Sequence, residues 1–545
     1  MRPNIAFVNL PTIPEDEVIN SIIGNPAIKQ AMSMPLGILA LSAYCRENST
    51  PGSIEIIDYV CALCQKETNY ADLEEFIELV PRNCVTVEPD IIAFSVIFSV
   101  SVAFFRKVVT VCRKIWPNAI IIAGGTHVTN TPMDILGMGD VDFICRGEGE
   151  IAFAEFVRNF GRVHEVEIQG ITARGGSVVC TSGQLAKMVD ELDEIPFSDW
   201  PVLNVDMYLA DAGRRRDISD GVVHKSASLM TSRGCPYSCT FCSSFTVHGR
   251  KMRYRSPEHV VKEMQELYEK LGVNLFVLED DLFVVKKDRT IELLQAMANS
   301  GIPNQALQFP NALAVNTLSE EVMDALIEAG MTIANIAIES GSSVVQKMIQ
   351  KNVNLDKARQ VVKYFNSKNI LTRCYFIFGF PGETLEQMQE TVQYAKDLNA
   401  DWCTMNPVVP LVGTKMYQQF VELGYIKDDP SSWSDAYFTE RTFDTPEITA
   451  KEIKDFTYRS NLDVNFLHNR QMRLGDYEKA IDIFNDVLRL HSFHIVAHYC
   501  IRKCQLALGD LSGAKSTTAV ILDLIAKNDH SAEIYNKYGE LMPGI

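Results

Sequence analysis

The sequence predicts an α/β protein with two successive strand–helix arrays and an all-α C-terminal region. Three observations support this prediction. Short apolar runs alternate with helical patterns over residues 1–160, the alternation starts again at Ser226, and a Leu-Gly-Asp segment recurs near the C-terminus. Alternating strands and helices are typical of parallel sheets covered by helices. A segment that recurs at a fixed offset indicates stacked helical units.

The first array reads as a doubly wound, Rossmann-like parallel sheet. Its predicted strands are five apolar runs, at residues 4–10, 53–60, 90–95, 118–125 and 142–145. Helical patterns follow at residues 35–46, at residues 100–116 and from Ile151. Sheets of this kind bind ligands beyond the carboxyl ends of their strands. The Gly124–His127 segment (GGTH) stands at such an end, and a plain strand–helix turn is the alternative. There is no G-x-G-x-x-G, so a dinucleotide is not favoured.

The second array contains six apolar runs separated by helical patterns. The runs cover residues 227–230, 274–278, 305–309, 333–338, 374–380 and 402–407. Six such units are too few for an eight-stranded barrel. Each run ends in polar or glycine residues, as ligand-binding strand ends do. Asp280 and Glu383 precede helices, so a role as helix N-cap is the alternative for each.

Three cysteines follow the first of these runs. Cys235, Cys239 and Cys242 form a C-x3-C-x2-C pattern, and Gly234 and Pro236 break regular structure beside the first of them. Convergent thiolates suit zinc or an iron–sulfur centre. Three ligands leave one metal position open for a substrate or cofactor. A zinc site with His248 as fourth ligand, and three unrelated thiols, are the alternatives.

At these cysteines the chain resembles the radical S-adenosylmethionine (SAM) enzymes. Their signature is C-x3-C-x2-C with an aromatic residue before the last cysteine, here Phe241. The resemblance implies a [4Fe-4S] cluster on the three cysteines, SAM on the open iron and a partial (β/α)6 barrel. It also implies that SAM contacts the strand ends. The candidates are Phe241, Arg255, Glu279, Asp280, Asp281, Asn311, Glu339, Ser340, Phe378, Gly379 and Glu383.

Two of these assignments stay open within the resemblance. The family usually carries G-G-E where this chain has Glu279-Asp280-Asp281, so the carboxylate that contacts the SAM ammonium is not identified. Arg253 and Arg255 suit the SAM carboxylate or a cobalamin side chain, and a surface ion pair is the alternative.

The first array resembles the cobalamin-binding domain that precedes many radical SAM domains. The resemblance lies in the ordered segments PLGILALSAY, DIIAFSV, AGGTHVTNTP and DFICRGEGE. It implies a cobalamin whose nucleotide tail lies in a sheet crevice. The D-x-H-x-x-G motif is missing, so no histidine is expected on cobalt. The candidate contacts are Ser95, Ser99, Gly124, Gly125, Thr126, His127 and Glu148. The alternative for Glu148 is a charge that stabilises the N-terminus of the next helix.

We expect four segments along the chain. They are a cobalamin-binding domain at 1–190, a linker at 191–225, the radical SAM barrel at 226–425 and a helical domain at 426–545. In the last, Leu474-Gly-Asp-Tyr477 recurs as Leu508-Gly-Asp-Leu511 at an offset of 34 residues, the tetratricopeptide period. Two such repeats, at about 465–530, are expected to pack on the barrel or to bind a protein partner.

Composition narrows the class of protein further. A net charge of −18 over 545 residues argues against a nucleic-acid partner. No apolar run approaches the length of a membrane span. Fourteen cysteines without a secretory signal indicate reduced thiols in the cytoplasm. An exposed iron–sulfur cluster would also require an anaerobic or well-protected setting.

The two resemblances together imply a cobalamin-dependent radical SAM enzyme. Its expected reaction is reductive cleavage of SAM to a 5′-deoxyadenosyl radical, hydrogen abstraction from an unactivated carbon and methyl transfer from methylcobalamin. An electron donor such as flavodoxin or ferredoxin is implied, and the substrate is a small molecule, lipid or peptide. A cyclase or rearrangement enzyme is the alternative of the same class. A sensor that acts through the helical repeat is the alternative of another class. A methylthiotransferase acting on RNA would need a second three-cysteine cluster pattern that this chain lacks.

Overall fold

The structure is a computed structural model. It describes residues 2–22, 34–65, 70–175, 184–210, 224–429 and 440–545. Residues 211–223 of the predicted linker and residues 430–439 lie outside the described residues. The chain divides into two compact units. Unit 1 comprises Met1–Leu313, Thr317–Thr332 and Val409–Phe438, and unit 2 comprises Ala314–Asn316, Ile333–Val408 and Thr439–Ile545.

Unit 1 begins with a six-stranded sheet. Its strands are β1 (Ile5–Asn9), β2 (Ile54–Asp58), β3 (Ile91–Ser95), β4 (Ile120–Gly124), β5 (Phe143–Cys145) and β6 (Ile171–Ala173). Their order is β2-β1-β3-β4-β5-β6. The first five pair in parallel, and β6 runs antiparallel to β5. The parallel α/β sheet is therefore confirmed, and β6 adds an antiparallel strand at its edge.

Among the described residues, eight α-helices accompany this sheet. They are α1 (Glu15–Ile22), α2 (Leu36–Asn48), α3 (Tyr59–Cys64), α4 (Leu73–Cys84), α5 (Val102–Ile115), α6 (Thr126–Asn130), α7 (Pro132–Gly137) and α8 (Glu150–Arg158). The apolar stripe of α5 buries Phe104 and Phe105 in one core with Tyr59 and Phe76. Each aromatic side chain buried in this way contributes about 2–3 kcal/mol.

The segment between the two arrays is packed against the sheet domain. It contains α9 (Val205–Ala210). Leu192 and Ile195 are buried against Ala40 of α2. The Tyr208 hydroxyl of α9 donates to Asp58 Oδ2 at 2.7 Å, at the end of β2. This part of the predicted linker therefore contributes to the core.

The second array contains every strand that the sequence analysis predicted, with three short additions. The strands are β7 (Ser226–Leu229), β8 (Ser232–Arg233), β9 (Arg253–Tyr254), β10 (Leu275–Leu278), β11 (Ala306–Gln308), β12 (Leu313–Ala314), β13 (Ile333–Glu339), β14 (Leu371–Phe378) and β15 (Trp402–Pro407). The helices are α10 (Phe245–His248), α11 (Pro257–Leu271), α12 (Lys287–Ala298), α13 (Glu320–Glu328), α14 (Ser343–Met348), α15 (Leu355–Ser367), α16 (Leu385–Leu398) and α17 (Lys415–Glu422).

These strands pair as two main sheets and one ribbon. In unit 1, β7, β10 and β11 form a three-stranded parallel sheet, and β8 and β9 form a two-stranded antiparallel ribbon. The second sheet has the order β12-β13-β14-β15, and its last three strands are parallel. The parallel βα arrangement is thus confirmed, while closure into a partial barrel stays a prediction.

Helices occupy the C-terminal part of unit 2. They are α18 (Ala450–Asn461), α19 (Arg470–Leu474), α20 (Tyr477–Leu490), α21 (Ile495–Ala507), α22 (Leu511–Lys527) and α23 (Asp529–Tyr538). A π-helical turn, Leu462–Leu467, connects the first two. Asn465 in this turn donates to Cys403 O and accepts from Cys403 N, each at 2.7 Å. The side-chain amide thereby pairs with β15 and joins the helices to the sheet of unit 2.

The repeated Leu-Gly-Asp segments adopt the same local structure. Gly475 and Gly509 both have φ +79° and follow a helix, a backbone conformation that favours glycine. Asp476 caps α20 through Lys479 N, and Asp510 caps α22 through Gly513 N. The sequence repeat therefore corresponds to a structural one.

No helix in the described ranges combines the length and apolar character that a membrane crossing requires.

Candidate active site

The three cysteines lie on the loop that joins the two strands of the β8–β9 ribbon. The strands pair Ser232 with Tyr254 and Arg233 with Arg253. Gly234 follows β8 with φ +98°, and a Cβ there would lie 2.4 Å from the Lys251 carbonyl oxygen. Only glycine fits this close approach. The ribbon therefore brings both ends of the cysteine loop together.

Cys235, Cys239 and Cys242 are half-buried, and none of them forms a disulfide. Burial raises the pKa of the Cys235 thiol to about 11, and the charges of Cys242, Asp281 and Cys239 add to this effect. A thiol must lose its proton to bind a metal. Within the described part of the chain, no three His, Cys, Asp or Glu side chains lie close enough to share one metal ion. The cysteines of an iron–sulfur cluster need not share one ion, because each of them binds a different iron atom of the cluster.

Asp280 is fully buried, and its carboxylate is hydrogen-bonded to other residues of the chain. Its carboxylate accepts hydrogen bonds from Thr231 N, Thr231 Oγ1 and Ser232 Oγ. Asn311 Nδ2 donates to the backbone oxygens of Glu279 at 3.0 Å and Asp280 at 3.3 Å. Asp280 thus fixes the start of the ribbon, and the N-cap alternative for it is wrong, because Lys286 precedes α12 as its cap residue.

The two flanking carboxylates are placed differently. Glu279 Oε1 accepts from Ser228 Oγ at 3.1 Å. Asp281 accepts from the Gly234 backbone and the Ser244 hydroxyl, and burial raises its pKa. Its Oδ2 is buried and has no hydrogen-bond partner among the described residues. Asp281 therefore lies against the cysteine loop with one oxygen unsatisfied.

A cavity of about 310 Å³ opens within unit 1 beside the carboxyl ends of β3, β4 and β5. Its walls are mainly apolar, with few polar groups, as is usual for a site that binds a large cofactor. Of the predicted cobalamin contacts, five line this cavity. These are Ser95, Gly124, Gly125, Thr126 and Glu148.

The other two predicted contacts, Ser99 and His127, are not among the lining residues. Ser99 Oγ lies 3.0 Å from His127 Nδ1. Burial lowers the pKa of His127 to about 4, so the imidazole is neutral. His127 N also donates to Val96 O at 3.1 Å, so this residue holds the turn after β4 to the end of β3.

Several cavity residues were missed by the sequence analysis. They come from α2, α8 and the segment after residue 184, and include Leu36, Gly37, Leu41, Phe153, Leu192 and Ile195. The apolar spacing of α2 was visible, but it is equally typical of a core helix. Residues of β1, β3 and β4 line the cavity together with them.

The cysteine ribbon supplies part of the cavity wall. Arg233, Val247 and His248 line the cavity together with Glu148. His248 Nδ1 lies 2.7 Å from Glu148 Oε1, so the fourth ligand of the zinc alternative is bonded to a carboxylate. Burial acts to raise the pKa of Glu148, but the hydrogen bonds from His248 and Arg253 and the charge of Arg233 outweigh it and hold the pKa well below its usual range. Glu148 therefore lies in a buried ion cluster and not merely at a helix N-terminus.

Arg255 also lines the cavity, but its guanidinium has a partner. Arg255 Nη1 lies 2.6 Å from Glu263 Oε2 and 3.1 Å from the Met230 carbonyl oxygen. Both side chains of this pair are at most 11% exposed. Arg255 therefore forms a buried ion pair, and the alternative of a surface ion pair is wrong for this residue.

In unit 2, the end of β13 carries two of the predicted residues. Glu339 has φ +70°, a strained conformation for a residue other than glycine, and pairs with Lys351 at 2.8 Å. Ser340 is fully buried and lies 3.0 Å from Thr391 Oγ1. Strain retained at a strand end is typical of functional sites.

The end of β14 carries Phe378, Gly379 and Glu383. Glu383 Oε2 accepts from the backbone N–H of Gly379 at 2.6 Å and of Phe380 at 3.1 Å. Burial raises the pKa of Glu383 to about 7. Thr384, and not Glu383, caps α16, so the N-cap alternative is wrong here as well. Phe378 is buried against Phe456.

Comparison with known proteins agrees with this site. The radical SAM superfamily model matches residues 229–395, and the B12 binding domain model matches residues 32–157. A cytidylyl-2-hydroxyethylphosphonate methyltransferase from Streptomyces wedmorensis is 27% identical over 411 residues, which cover 70% of this chain and 76% of the relative. An anaerobic magnesium-protoporphyrin IX monomethyl ester cyclase from Cereibacter sphaeroides is 24% identical, covering 67% of this chain and 59% of the relative.

A solved structure shows the same fold. It is the cobalamin-dependent SAM radical enzyme OxsB with aqua-cobalamin and S-adenosylmethionine bound. The TM-score is 0.63 at 17% identity, over 96% of this chain and 75% of that one.

The fold and the cysteine loop define a radical SAM protein. The alternative of a zinc site at the three cysteines is therefore wrong. The chain therefore combines a B12-binding domain with a radical SAM domain, the two domains of the cobalamin-dependent radical SAM enzymes. Its cofactors are a [4Fe-4S] cluster, SAM and cobalamin.

Proposed function

We propose that this enzyme transfers a methyl group to an unactivated carbon of its substrate. The observation that carries the proposal is the cavity on the B12-type sheet, whose wall includes the ribbon that bears the three cysteines. This arrangement allows one substrate position to be served by both cofactors. The bound cofactors supply reductive cleavage of SAM, which gives the radical, and the methyl group itself.

The chain positions the cluster and SAM in unit 1 through its cysteines and carboxylates. Cys235, Cys239 and Cys242 bind the cluster. Asp280 is occupied by Thr231 and Ser232, which leaves Glu279 and Asp281 as the carboxylates for the SAM ammonium. Asp281, with its free oxygen beside the cysteine loop, is the better supported of the two.

Other predicted SAM residues take supporting or separate roles in this proposal. Arg255 stabilises the cavity wall through Glu263, and Asn311 holds the acidic segment in place. Phe241 borders the last cysteine of the loop. Glu339, Ser340, Phe378, Gly379 and Glu383, at the ends of β13 and β14 in unit 2, stay SAM-binding predictions that rest on the family resemblance.

The cobalamin contacts follow from the cavity. Ser95, Gly124, Gly125 and Thr126 border the nucleotide tail at the strand ends, and the Ser99–His127 pair fixes the turn behind them. A Cβ at Gly125 would lie 2.5 Å from the Val96 carbonyl oxygen, so this turn keeps its close backbone approach only with glycine.

Methyl transfer is favoured over cyclisation by the extent of similarity. The methyltransferase relative matches over 76% of its own length, whereas the cyclase relative matches over 59%. The sensor alternative has no comparable support among the relatives.

The setting of the reaction is proposed on the same basis. Reduction of the cluster needs an external donor such as flavodoxin or ferredoxin, and an anaerobic cytoplasm suits the half-buried cysteine loop.

We assign residues 1–190, 226–425 and 426–545 to the cobalamin, barrel and helical domains. The two Leu-Gly-Asp units form a tetratricopeptide-like pair that supports the barrel or binds a protein.

The experiment is anaerobic turnover of the purified, reconstituted full chain. With SAM, hydroxocobalamin and a reductant, the chain should form both 5′-deoxyadenosine and S-adenosylhomocysteine. The second product reports methyl donation by SAM, which a cyclase does not require. Formation of 5′-deoxyadenosine alone would contradict methyl transfer, and formation of neither would contradict the enzyme proposal. Cys235→Ala is the control and should abolish 5′-deoxyadenosine.

A further inference from the structure

Two arginines lie directly opposite each other at the base of the cysteine ribbon. Arg233 of β8 is the register partner of Arg253 of β9. Like charges at directly opposed positions destabilise an antiparallel pair. Such a pair requires a counter-charge that reaches both guanidinium groups.

Glu148 supplies that counter-charge from the B12-type sheet domain. Its Oε2 accepts from Arg253 Nη1 at 2.9 Å and from Arg233 Nη1 at 3.0 Å, and Oε1 also contacts Arg253 Nη2. The side chains of Glu148 and Arg253 are 2% and 3% exposed. A second carboxylate, Glu150, lies 2.8 Å from Arg233 Nη2. Hydrogen bonds between ionised groups are the strong ones, and burial strengthens them further.

The same carboxylate reaches both ends of the cysteine loop. Arg233 stands two residues before Cys235. On the other side, His248 bonds to Glu148 at 2.7 Å, and the next residue, Gly249, accepts from Cys235 N at 3.2 Å. A displacement of Glu148 is therefore passed to Cys235 from two directions.

The cluster also faces the cavity. Glu148, Glu150, Arg233 and His248 all belong to its lining. A molecule that fills the cavity therefore contacts the groups that hold the cysteine loop.

We propose that Glu148 is a positioning residue that couples the occupancy of the cavity to the cysteine loop, so that cobalamin and the iron–sulfur cluster each favour the binding of the other. The inference rests on the two cofactors of the proposed function and does not depend on methyl transfer. Coupling between two sites is reciprocal, so it is measurable from either cofactor.

The test measures the Kd of hydroxocobalamin for the full chain, without and with a reconstituted [4Fe-4S] cluster. In the wild type, the cluster should lower the Kd by about 5-fold or more, the range typical of coupled sites. In Glu148→Gln, the Kd should no longer depend on the cluster. Glu148→Asp keeps the charge but is one methylene shorter. In this variant, the ratio of the Kd without the cluster to the Kd with it should lie between those of the wild type and Glu148→Gln.

Asp142→Asn is the matched control. Asp142 also bridges two arginines, Arg113 at 2.5 Å and Arg174 at 3.3 Å, but it precedes β5 whereas Glu148 follows it. This variant should keep the wild-type ratio. If circular dichroism shows that Glu148→Gln does not fold, the ratio of the two Kd values in Glu148→Asp decides whether Glu148 couples the sites.

Three outcomes are distinct. The coupling is overturned if the wild type has the same Kd for hydroxocobalamin with and without the cluster. It is also overturned if both Glu148 variants keep the ratio of the two Kd values that the wild type has. Loss of the ratio in Asp142→Asn as well would make the effect a general loss of stability, which also overturns it. Failure of the wild type to bind hydroxocobalamin under either condition contradicts the cofactor assignment instead.

Discussion

Asp280 and Thr231 are joined by hydrogen bonds from both the backbone and the side chain of the threonine. Thr231 Oγ1 donates to Asp280 Oδ1 at 2.8 Å, and Thr231 N donates to Oδ2 at 3.1 Å. The Ser232 hydroxyl adds a third bond at 2.5 Å. Because Asp280 follows β10 and Thr231 precedes β8, this carboxylate fixes where the cysteine ribbon leaves the sheet.

Asp280→Asn should destabilise unit 1 and weaken cluster binding. The amide nitrogen would face N–H and O–H donors, which leaves buried groups unsatisfied at a cost of about 1–3 kcal/mol. Denaturant unfolding of the apoprotein and iron content after reconstitution measure the two effects. Asp288→Asn, at an exposed site in the first turn of α12, should stay within about 0.5 kcal/mol. Equal behaviour of the two variants would contradict this role for Asp280.

Gly379→Ala should be far more damaging than Gly382→Ala. Both glycines have positive φ, +85° and +77°. A Cβ at Gly379 would lie 2.3 Å from Ile453 Cδ1 and 2.9 Å from Arg441 Nη1, whereas a Cβ at Gly382 meets nothing within 4 Å. Gly382→Ala should therefore cost only the backbone strain, about 1 kcal/mol.

Gly379→Ala adds overpacking, for a total of about 2–4 kcal/mol. The free energy of unfolding of each variant provides the comparison. Similar losses at both positions would show that the contact with Ile453 does not constrain this turn.

The raised pKa of Glu383 predicts that the free energy of unfolding depends on pH. Its pKa is raised by burial from an ordinary 4.5 to about 7. Below pH 4.5 the carboxyl is protonated in both the folded and the unfolded state, and there is no effect. Between pH 4.5 and 7 only the unfolded state ionises, so stability falls by about 3 kcal/mol and is then constant.

Glu383→Gln should remove this fall, because a glutamine oxygen can still accept from the Gly379 N–H. The variant should match the wild type near pH 4.5 and exceed it in stability at pH 8. Unfolding curves of both apoproteins across this range give the difference. A difference that does not change with pH would show that Glu383 titrates normally.

The strands and the cysteine loop were predictable because their signals are local. Apolar runs of four to eight residues that end in polar residues mark buried parallel strands, and all eleven predicted strands are present. The five-stranded parallel core and the six later strands follow from this rule. β6 is only three residues long and antiparallel, and it carries no such signal.

The cavity and the ion cluster were only partly predictable because they depend on contacts distant in sequence. Glu148 and Arg253 are 105 positions apart, and nothing in RGEGE indicates which charges it meets. Leu36 and Leu41 have the spacing of core residues, and only the folded sheet shows that they face a cavity. Asp280 was predicted correctly as a strand-end residue, but the direction of its carboxylate depends on Thr231, 49 positions away.

Ala93→Leu should block cobalamin binding without unfolding the chain. Ala93 lies in the middle of β3, is buried and lines the cavity, so the three added carbon atoms would enter the space in which we propose that the nucleotide tail binds. Because the atoms enter a cavity and not a packed core, the fold should tolerate them. We expect a rise of about tenfold or more in the Kd of hydroxocobalamin, since a lost 1.4 kcal/mol of binding free energy corresponds to a factor of ten. Bound cobalamin absorbance and the thermal midpoint are the two measurements. Ala93→Ser, of nearly the same size as the wild type, is the control and should bind normally, while wild-type affinity in Ala93→Leu would place the tail elsewhere.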